Sequence, residues 1–470
     1  MNFVDRFFEI SARQSTVGTE IRGGVVTFIA MAYIIVLNPI ILSSSTDVTG
    51  GRLEFAQVSA TTALAAGVMT ILFGLIARLP FAFAAGLGIN SFLATTVVGQ
   101  VTWAEAMGLV VINGLLIVLL AVTGLRRLVF DAVPMQLKLA ITAGIGLFIL
   151  FIGLVDAGFI SSTGAASPPV GLGGEGSGSI STVPTLVFVG TLLLTGVLVV
   201  RKVRGGILIG LAAGTLVAVL IEAIWELGSK QDNPGGWSLS VPTLSGSPFA
   251  LPDLSLVGAF SLDSFGRIGA VAAVMLIFTL VFANFFDAMG TMTGLSREAG
   301  LSDEKGNFPR LKSALIVEGA GAVVGGGTSS SSNTVFIESG AGIEEGARTG
   351  LANLVTGALF LAAMFISPLA SVVPTEVAAA ALVVVGALMA SQLRHIELTE
   401  FSIALPVVLT VAVMPFSYSI ANGIGVGFIA WVVMRTAAGK IREISPLLWV
   451  VAAGFALYFA RTPVESVLGV

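Results

Sequence analysis

Cysteine is absent from the 470-residue chain, and His395 is the only histidine. The lack of cysteine excludes disulfide bonds and thiol chemistry. A single histidine leaves no cluster of His and Glu able to bind a catalytic metal, and no Walker A string is present. Nothing in the sequence therefore indicates an enzyme. Charged residues are also scarce, at 11% against roughly 25% in a soluble domain.

The chain is instead rich in apolar residues. The chain is 55% hydrophobic, and many uninterrupted apolar runs reach about 20 residues, the length of a helix that spans a bilayer. We therefore predict an all-α polytopic membrane protein with fourteen segments, at about 23–42, 57–77, 82–99, 104–125, 137–160, 182–200, 205–227, 269–293, 311–326, 332–343, 349–370, 375–392, 400–416 and 418–435. A further apolar stretch, at about 445–460, is either a fifteenth span or an interfacial helix.

The basic residues test this set of segments, because Lys and Arg collect in the cytoplasmic loops of membrane proteins. With a cytoplasmic N-terminus, most of the 23 basic residues fall on the cytoplasmic side. The exceptions are Arg52, Lys230 and Arg267, while Arg461 depends on whether the last stretch crosses. Residues 1–22 lack the order of a signal peptide, so we interpret them as a cytoplasmic amphipathic segment of a protein in the plasma (inner) membrane.

The longest predicted outer loop, about 228–266, divides the chain into two halves of seven segments. The halves are residues 23–227 and 267–436, and residues 437–470 follow as a C-terminal segment. Because seven is odd, the second half enters the membrane from the opposite face, as in the inverted repeats of secondary transporters. Segments three and ten support the repeat, because both are unusually polar and rich in glycine.

The most polar run of the chain, GGGTSSSSNTVFIESGAGI at residues 325–343, leads into segment ten and includes it. Its glycines and serines are weak helix formers, whereas NTVFI suits a strand, and PFAFAAGLG in segment three is similarly unsuited to a helix. Extended backbone at membrane depth must be buried in protein or line a cavity. We predict two short strands that meet near the midplane. Each is followed by a half-helix, starting near Leu87 and near Glu338, whose N-terminus faces a substrate.

Simpler interpretations of these two segments remain open. A run of glycine and serine also serves as a flexible loop or as a surface for close helix packing. Its occurrence at matching positions of the two halves favours a binding site. Asn90, in segment three, is equally suited to an interhelical hydrogen bond and to a contact with a ligand.

Three carboxylates inside predicted membrane segments are candidate site residues: Asp287 in segment eight, Glu318 in segment nine and Glu338 in segment ten. A charge at the bilayer centre costs roughly 3 kcal/mol or more, so such residues usually face an interior cavity. A buried carboxyl group can also exchange a proton near neutral pH, as a proton-coupled carrier requires. The alternatives are a structural hydrogen bond near a helix end for Asp287 and a supporting role outside the site for Glu318.

These residues stand in strings that resemble the xanthine/uracil permease family, and within it the adenine/guanine/hypoxanthine permease branch. The strings cover roughly residues 19–436 and read TEIRGGVVTFIAMAYIIVLNP, FAAGLGINSFLATTVV, LKLAITAGIGLFILFIGL, FDAMGT, VFIESGAGIEEGARTGL and MPFSYSIANGIGVGFI. The resemblance implies 7+7 inverted repeats arranged as a core and a gate, with segments three and ten broken. It also implies that a substrate is held between segments three, eight and ten.

The resemblance also implies the site residues, by their position in these strings. Gly88 and Asn90 match the contacts from segment three, and Glu338 matches the carboxylate that hydrogen-bonds a purine. Asp287 matches the second acidic residue of segment eight, whereas Asn284 stands where the branch usually has the first Asp. Asn284 and Asp287 share a helical face, but an amide cannot carry a proton as a carboxylate can.

The function expected from the resemblance is import of hypoxanthine, guanine or adenine by proton symport, with no cofactor beyond the proton and no metal. Asp287, Glu338 and Glu318 are the candidate groups for proton coupling. The expected partners are the purine base and the lipid bilayer, not a nucleic acid, and a homodimer is expected because family members are often dimeric. The candidates to stack on the base, all of which also suit core or lipid-facing packing, are Phe92, Phe285, Phe286 and Phe336.

Two alternative functions remain open. The first is a carrier of uracil, xanthine or an inorganic anion on the same fold. An anion carrier should favour a basic site, and Glu338 and Asp287 argue against that. The second is a channel, or a receptor-like protein that binds without transport. Saturable, gradient-dependent accumulation would separate a carrier from a channel.

Overall fold

The computed structural model describes residues 3–124, 132–165, 167–174, 178–244, 247–302 and 308–460, except for the side chain of Phe286. This part of the chain is mostly helical and contains ten helices long and apolar enough to cross a membrane. Each of the ten coincides with one of the fourteen predicted segments. The other four, which are segments three, nine, ten and thirteen, correspond to shorter helices. The count of fourteen crossings and the inverted repeat stay predictions.

The first half of the chain contains the predicted strand of segment three, β1, and a pair of strands that was not predicted, β2 and β3. The first membrane helix begins at Val17, earlier than predicted, because Thr16 caps it by accepting a hydrogen bond from the amide of Thr19. The elements are α1 (Phe3–Phe8), α2 (Val17–Met31), α3 (Ile34–Ser43), α4 (Phe55–Ile76), β1 (Phe83–Ala85), α5 (Leu87–Phe92), α6 (Trp103–Thr123), α7 (Met135–Asp156), β2 (Ile160–Ser162), β3 (Val170–Leu172), α8 (Val183–Val200) and α9 (Gly206–Trp225).

The second half follows the long central loop. Its first helix is interrupted at Gly269 (φ 77°, ψ 159°), which is where segment eight was predicted to begin. The elements are α10 (Ser264–Glu298), α11 (Leu311–Gly327), β4 (Asn333–Val335), α12 (Ser339–Glu344), α13 (Leu351–Ala363), α14 (Ser367–Ala370), α15 (Thr375–Ala390), α16 (Phe401–Phe416), α17 (Ile420–Ala437) and α18 (Pro446–Phe459).

The strands form two separate antiparallel pairs, β1 with β4 and β2 with β3. The β2–β3 pair joins Ile160 to Leu172 across a turn between α7 and α8. Its sequence is rich in glycine and serine and lacks the regular alternation that would have identified two strands. It is a local hairpin, whereas β1 and β4 come from opposite halves of the chain.

The long helices pack in two sets. In the first, α2 and α4 pack on α13, and α10 and α11 pack on α6; in the second, α7 and α8 pack on α15, and α7 and α17 pack on α16. Close approach within both sets needs glycine. A Cβ added at Gly114 (α6) would lie 2.7 Å from the carbonyl oxygen of Gly319 (α11), and one at Gly146 (α7) would lie 2.7 Å from that of Gly386 (α15). Such small residues let membrane helices approach closely.

Helix α18, in the predicted C-terminal segment, is 14 residues long and packs on α17 and α10. It is shorter than the roughly 20 residues of a typical spanning helix. Ser445 caps it by accepting a hydrogen bond from the amide of Leu448. Its packing fits a partial span as well as an interfacial helix, and Arg461, the charge that bears on this choice, lies outside the described residues.

Candidate functional site

The strands of segments three and ten were predicted to meet, and they pair directly. Phe83, Ala84 and Ala85 lie opposite Val335, Thr334 and Asn333. Two further backbone bonds extend the pair: the amide of Gly86 donates to the carbonyl of Ser332, and that of Phe336 donates to the carbonyl of Ala82, both at 2.9 Å. Each strand therefore satisfies the backbone of the other at a depth where water cannot. Helices α5 and α12 begin where the half-helices were predicted, at Leu87 and directly after Glu338.

The polar run of segment ten is buried because it forms this strand and the turn leading into it. Ser329 and Ser331 adopt positive φ angles of 55° and 69°, so the chain reverses sharply after α11. Gly325 permits the reversal, because a Cβ there would lie 1.8 Å from the carbonyl oxygen of Ser331. The short polar side chains then supply partners for the turn; the amide of Asn333, for example, donates to the hydroxyl of Ser330 at 3.1 Å.

A cavity of about 640 Å³ adjoins the ends of the strand pair. Four residues identified in the sequence line it: Gly88, Asp287, Phe336 and Glu338. The strand pair contributes Thr334 and Val335 as well. Further polar and charged side chains line the cavity from α7, α10 and the 3-10 turn Ser391–His395, namely Lys138, Thr142, Arg297, Glu298, Gln392 and His395.

The two carboxylates of the cavity lie on different elements. Asp287 comes from α10 and Glu338 from the start of α12, and they are close enough to interact electrostatically. The hydroxyl of Tyr33, between α2 and α3, donates a hydrogen bond to Oε1 of Glu338. Both carboxylates are partly exposed, so they can accept hydrogen bonds from the N–H groups of a ligand.

Asn90 and Asn284, the two asparagines of the predicted site, lie outside the cavity lining that the structure describes. The amide of Asn90 donates to Oδ1 of Asn38 at 2.6 Å, and the amide of Asn284 donates to the hydroxyl of Ser332 at 3.0 Å. Both side chains are fully buried. These bonds connect α5 to α3 and α10 to the turn before β4, so the two amides support the strand pair from the protein side. Their contact with a substrate stays a prediction.

Glu318, the third predicted carboxylate, is 1% exposed on α11. It lies beside the hydroxyl of Thr334 and the amide of Val335, without a hydrogen bond of good geometry to either. Thr334 and Val335 themselves line the cavity, so β4 lies between Glu318 and the site. Glu318 also interacts electrostatically with Asp287.

The four phenylalanines proposed to stack on a ligand lie in different surroundings. Phe336 lines the cavity and is 7% exposed. Phe92 and Phe285 are buried in the hydrophobic core and are not part of the lining. The side chain of Phe286 lies outside the described residues. Phe336 is therefore the ring best placed to contact a ligand.

Sequence reasoning missed three residues of this region: Tyr33, Asn38 and Thr334. Tyr33 lines the cavity and bonds Glu338, while Asn38 is fully buried on α3 and accepts from Asn90. A signal was available for the first two, since both are polar side chains inside the first apolar segment. Thr334 gave no such signal, because threonine is common in strands and does not by itself indicate a binding site.

Two other features bear on what the site can hold. Within the described residues, no group of three or more His, Cys, Asp or Glu side chains could hold a metal ion. A second cavity, of about 830 Å³, lies between α8 and α9 and is lined almost entirely by apolar side chains. Leu186 and Trp225 in its lining are more than half exposed, which makes it a groove on the outer surface of the helices.

Comparison with known proteins gives the family. The model of the Permease family, which comprises xanthine and uracil permeases, matches residues 18–426. The chain belongs to this family. It is accordingly a transport protein of the membrane and not an enzyme, as the sequence predicted.

Individual relatives and solved structures agree with this placement. The chain is 37% identical over 458 residues to the guanine/hypoxanthine permease PbuG of Bacillus subtilis (96% of this chain, 98% of the relative). It is 35% identical over 456 residues to the adenine permease AdeP of Escherichia coli (97% and 95%). The transmembrane domain of a cyanobacterial bicarbonate transporter, BicA, superposes with a TM-score of 0.61 at 16% identity, covering 93% of this chain and 98% of that one. At that identity the likeness concerns the fold.

Proposed function

We propose that the chain is a secondary active transporter that imports purine nucleobases (hypoxanthine, guanine or adenine) by proton symport. The observation that carries the proposal is the placement of Asp287 and Glu338 in one cavity beside the paired strands. Purine bases present N–H groups and ring nitrogens at their edges, and buried carboxylates are suited to read them. The names of the relatives, which are guanine/hypoxanthine and adenine permeases, support the same substrate class.

Within this proposal, Glu338 and Asp287 accept hydrogen bonds from the base, and Gly88 lets it approach the start of α5. Gly88 also packs closely on α7, since an added Cβ would lie 2.6 Å from the side chain of Ile145. Phe336 packs against the ring. Asn90 and Asn284 complete the predicted set, either by direct contact or by holding the strand pair in place.

Proton coupling requires a carboxyl group that changes its protonation state with the transport step. Asp287, Glu338 and Glu318 are the candidates, since Asn284 replaces the acid that the resemblance leads one to expect. Asp287 interacts electrostatically with both of the others. A proton bound at Glu338 or at Glu318 therefore changes the charge that Asp287 experiences, and a proton bound at Asp287 affects both of the others.

The proposal includes fourteen segments in 7+7 inverted repeats, a core and a gate, a cytoplasmic N-terminus in the plasma membrane, and a homodimer. The two packing sets of helices support the division into core and gate. Lys138, Arg297 and His395, on the side predicted to be cytoplasmic, line the cavity. This arrangement corresponds to a site that opens inward, from which a base would be released into the cell.

Uptake of radiolabelled hypoxanthine, guanine, adenine, xanthine and uracil by cells lacking their own permeases tests this proposal. We expect saturable purine uptake that collapses with a protonophore. Glu338→Gln should reduce kcat/KM about tenfold or more, the effect of losing a hydrogen bond to a charged group. Glu376→Gln is the matched control, because Glu376 is a buried carboxylate that binds Ser238 of the central loop and is not among the residues that line the cavity.

The outcomes separate the parts of the proposal. Purine uptake that is indifferent to protonophore would contradict proton coupling while keeping the substrate. Uptake of uracil alone would contradict the purine class, and uptake of xanthine alone would contradict the three named bases while keeping a purine substrate. No uptake of any base by a correctly inserted protein would contradict the purine proposal.

A further inference from the structure

Among the described residues, the hydrogen bond from Tyr33 to Glu338 links the first membrane segment to a cavity carboxylate. Tyr33 lies in the interruption between α2, which ends at Met31, and α3, which begins at Ile34. Its side chain is fully buried, yet it forms part of the cavity lining. Its hydroxyl donates to Oε1 of Glu338, so the bond sits at the edge of the space that a ligand would occupy.

The hydrogen bond from Tyr33 occupies part of the hydrogen-bond accepting capacity of the Glu338 carboxylate. An ionised carboxylate only accepts hydrogen bonds, through its two oxygens. Tyr33 occupies one lone pair of Oε1 and restrains the plane of the carboxylate, so Oε2 is the oxygen with both lone pairs left for a ligand. Glu338 then has one fully free acceptor oxygen, where a carboxylate without this bond would have two.

The purine bases differ in how many donors they present to such an acceptor. Hypoxanthine carries a single N–H, at N1, on its Watson–Crick edge. Guanine carries two adjacent donors there, at N1 and at the exocyclic N2. A carboxylate with both oxygens free accepts both guanine donors in a bidentate pair, whereas one oxygen serves one N–H. Whether Oε1 is free to accept a second hydrogen bond therefore changes the affinity for guanine more than the affinity for hypoxanthine.

We propose that Tyr33 is a positioning residue that holds Oε1 of Glu338 and thereby sets the relative affinity of the site for hypoxanthine and guanine. This inference rests on the proposed function as a purine carrier. Tyr33 suppresses the bidentate pairing that would otherwise favour guanine, so both 6-oxopurines are bound through one hydrogen bond to Oε2. Removing the hydroxyl frees Oε1 and favours guanine.

If the bond between Tyr33 and Glu338 only held α3 against α12, its loss would have a different effect on transport. Its loss would lower the stability of the protein, and would reduce transport of all bases by the same factor. A changed ratio between two bases is a property of the site, and a structural role does not produce it. Tyr33→Phe makes this distinction cleanly, because it removes the hydroxyl and keeps the ring that fills the core.

The test compares KM for hypoxanthine and guanine in the wild-type protein, in Tyr33→Phe and in Tyr418→Phe. Tyr418 is a matched control, because its ring packs edge-on against Phe148 and Phe151 and it is not among the residues lining the cavity. We expect the hypoxanthine-to-guanine KM ratio to rise about fivefold in Tyr33→Phe, the equivalent of one ordinary hydrogen bond. Tyr418→Phe should leave it unchanged. An unchanged ratio in a Tyr33→Phe protein that still transports would overturn the proposal.

Infrared spectroscopy of the purified protein keeps the positioning role testable even if Tyr33→Phe does not fold. The phenol C–O band of Tyr33 should shift between the wild-type protein and Glu338→Gln, because a bond to a carboxylate becomes a weaker bond to an amide. Unchanged tyrosine bands would overturn the positioning role. A shifted band in a protein that transports no purine would support the role of Tyr33 at Glu338 and reject the proposed substrate, which distinguishes the two failures.

Discussion

Phe83 lies opposite Val335 in the antiparallel pair of β1 and β4, although the two residues belong to opposite halves of the chain. Neither strand has another partner among the described residues. Each is three residues long, and the two hold together only where both halves of the chain have folded. The cavity wall that contains Thr334, Phe336 and Glu338 therefore forms only when both halves of the chain have folded.

The turn before β4 should be intolerant of a single methyl group. In Gly325→Ala, the new Cβ would lie 1.8 Å from the carbonyl oxygen of Ser331, so the turn or α11 must shift. Overpacking of this kind costs about 1–3 kcal/mol, and sometimes more. We expect a lower Tm for the purified protein in detergent, together with reduced transport.

Gly327→Ala is the control for this prediction. Gly327 ends the same helix, and no atom lies within 4 Å of a Cβ placed there. Its Tm should stay close to that of the wild-type protein. Equal Tm values for the two variants would show that the reversal after α11 does not depend on Gly325.

The buried amide of Asn38 should matter for stability more than for affinity. Its Nδ2 donates to the hydroxyl of Thr62 at 2.7 Å and to the carbonyl of Ser330 at 3.0 Å, and its Oδ1 accepts from Asn90. Asn38→Ala removes these bonds from the amide of Asn90 and the carbonyl of Ser330, at about 1–3 kcal/mol for each group left unsatisfied, while the hydroxyl of Thr62 keeps its bond to the carbonyl of Val58. We expect a marked fall in Tm, while KM of the protein that remains folded changes little.

Asn422→Ala provides the comparison, because the side chain of Asn422 makes no hydrogen bond to another described residue. A KM for hypoxanthine raised about tenfold in Asn38→Ala, with an unchanged Tm, would contradict the structural role. In that case Asn90, its bonded neighbour, would be better explained as a direct contact of the substrate.

Glu400, the residue directly before α16, should contribute a pH-dependent part of the stability. Hydrogen bonds from Lys440, then from Ser402 and Arg435, lower the pKa of Glu400 from its ordinary value of 4.5 to about 2. Because the pKa is lowered in the folded state, the contribution is present above pH 4.5 and is lost as the pH falls toward 2. Tm of Glu400→Gln should fall less than that of the wild-type protein across this window.

The effect should be modest and sensitive to salt, because the side chain of Glu400 is 37% exposed and exposed ion pairs are screened. Glu397→Gln is a suitable control, since Glu397 forms no ion pair with the described residues. If the Tm of Glu400→Gln fell by the same amount as that of the wild-type protein between pH 4.5 and 2, the contribution of Glu400 to stability would be refuted.

The strands, the starts of α5 and α12 and the cavity carboxylates could be predicted because each depends on local sequence within an apolar segment. A serine run cannot form a stable spanning helix, and Glu338 is costly unless it faces a cavity. Tyr33 could not be assigned in the same way. Its role depends on a hydrogen bond to a residue in the other half of the chain, and nothing in the local pattern specifies that partner.

The partners of Asn90 and Asn284 could not be predicted from local sequence either. The positions of the two asparagines in the strings predicted contacts with a substrate, which stay a prediction, and the structure shows both amides bonded within the protein. Local sequence does not show whether a buried amide faces a ligand or a neighbouring helix, because either one can supply a hydrogen-bond partner. The structure directs them to Asn38 and Ser332.

Binding of radiolabelled hypoxanthine to the purified protein in nanodiscs tests the central claim most directly, because it does not depend on coupling or orientation. We predict saturable binding to the wild-type protein and to Glu376→Gln, and binding at least about tenfold weaker to Glu338→Gln. Equal binding to Glu338→Gln, or no binding of any purine by a folded wild-type protein, would contradict the claim that the cavity beside the paired strands is a purine site read by Glu338.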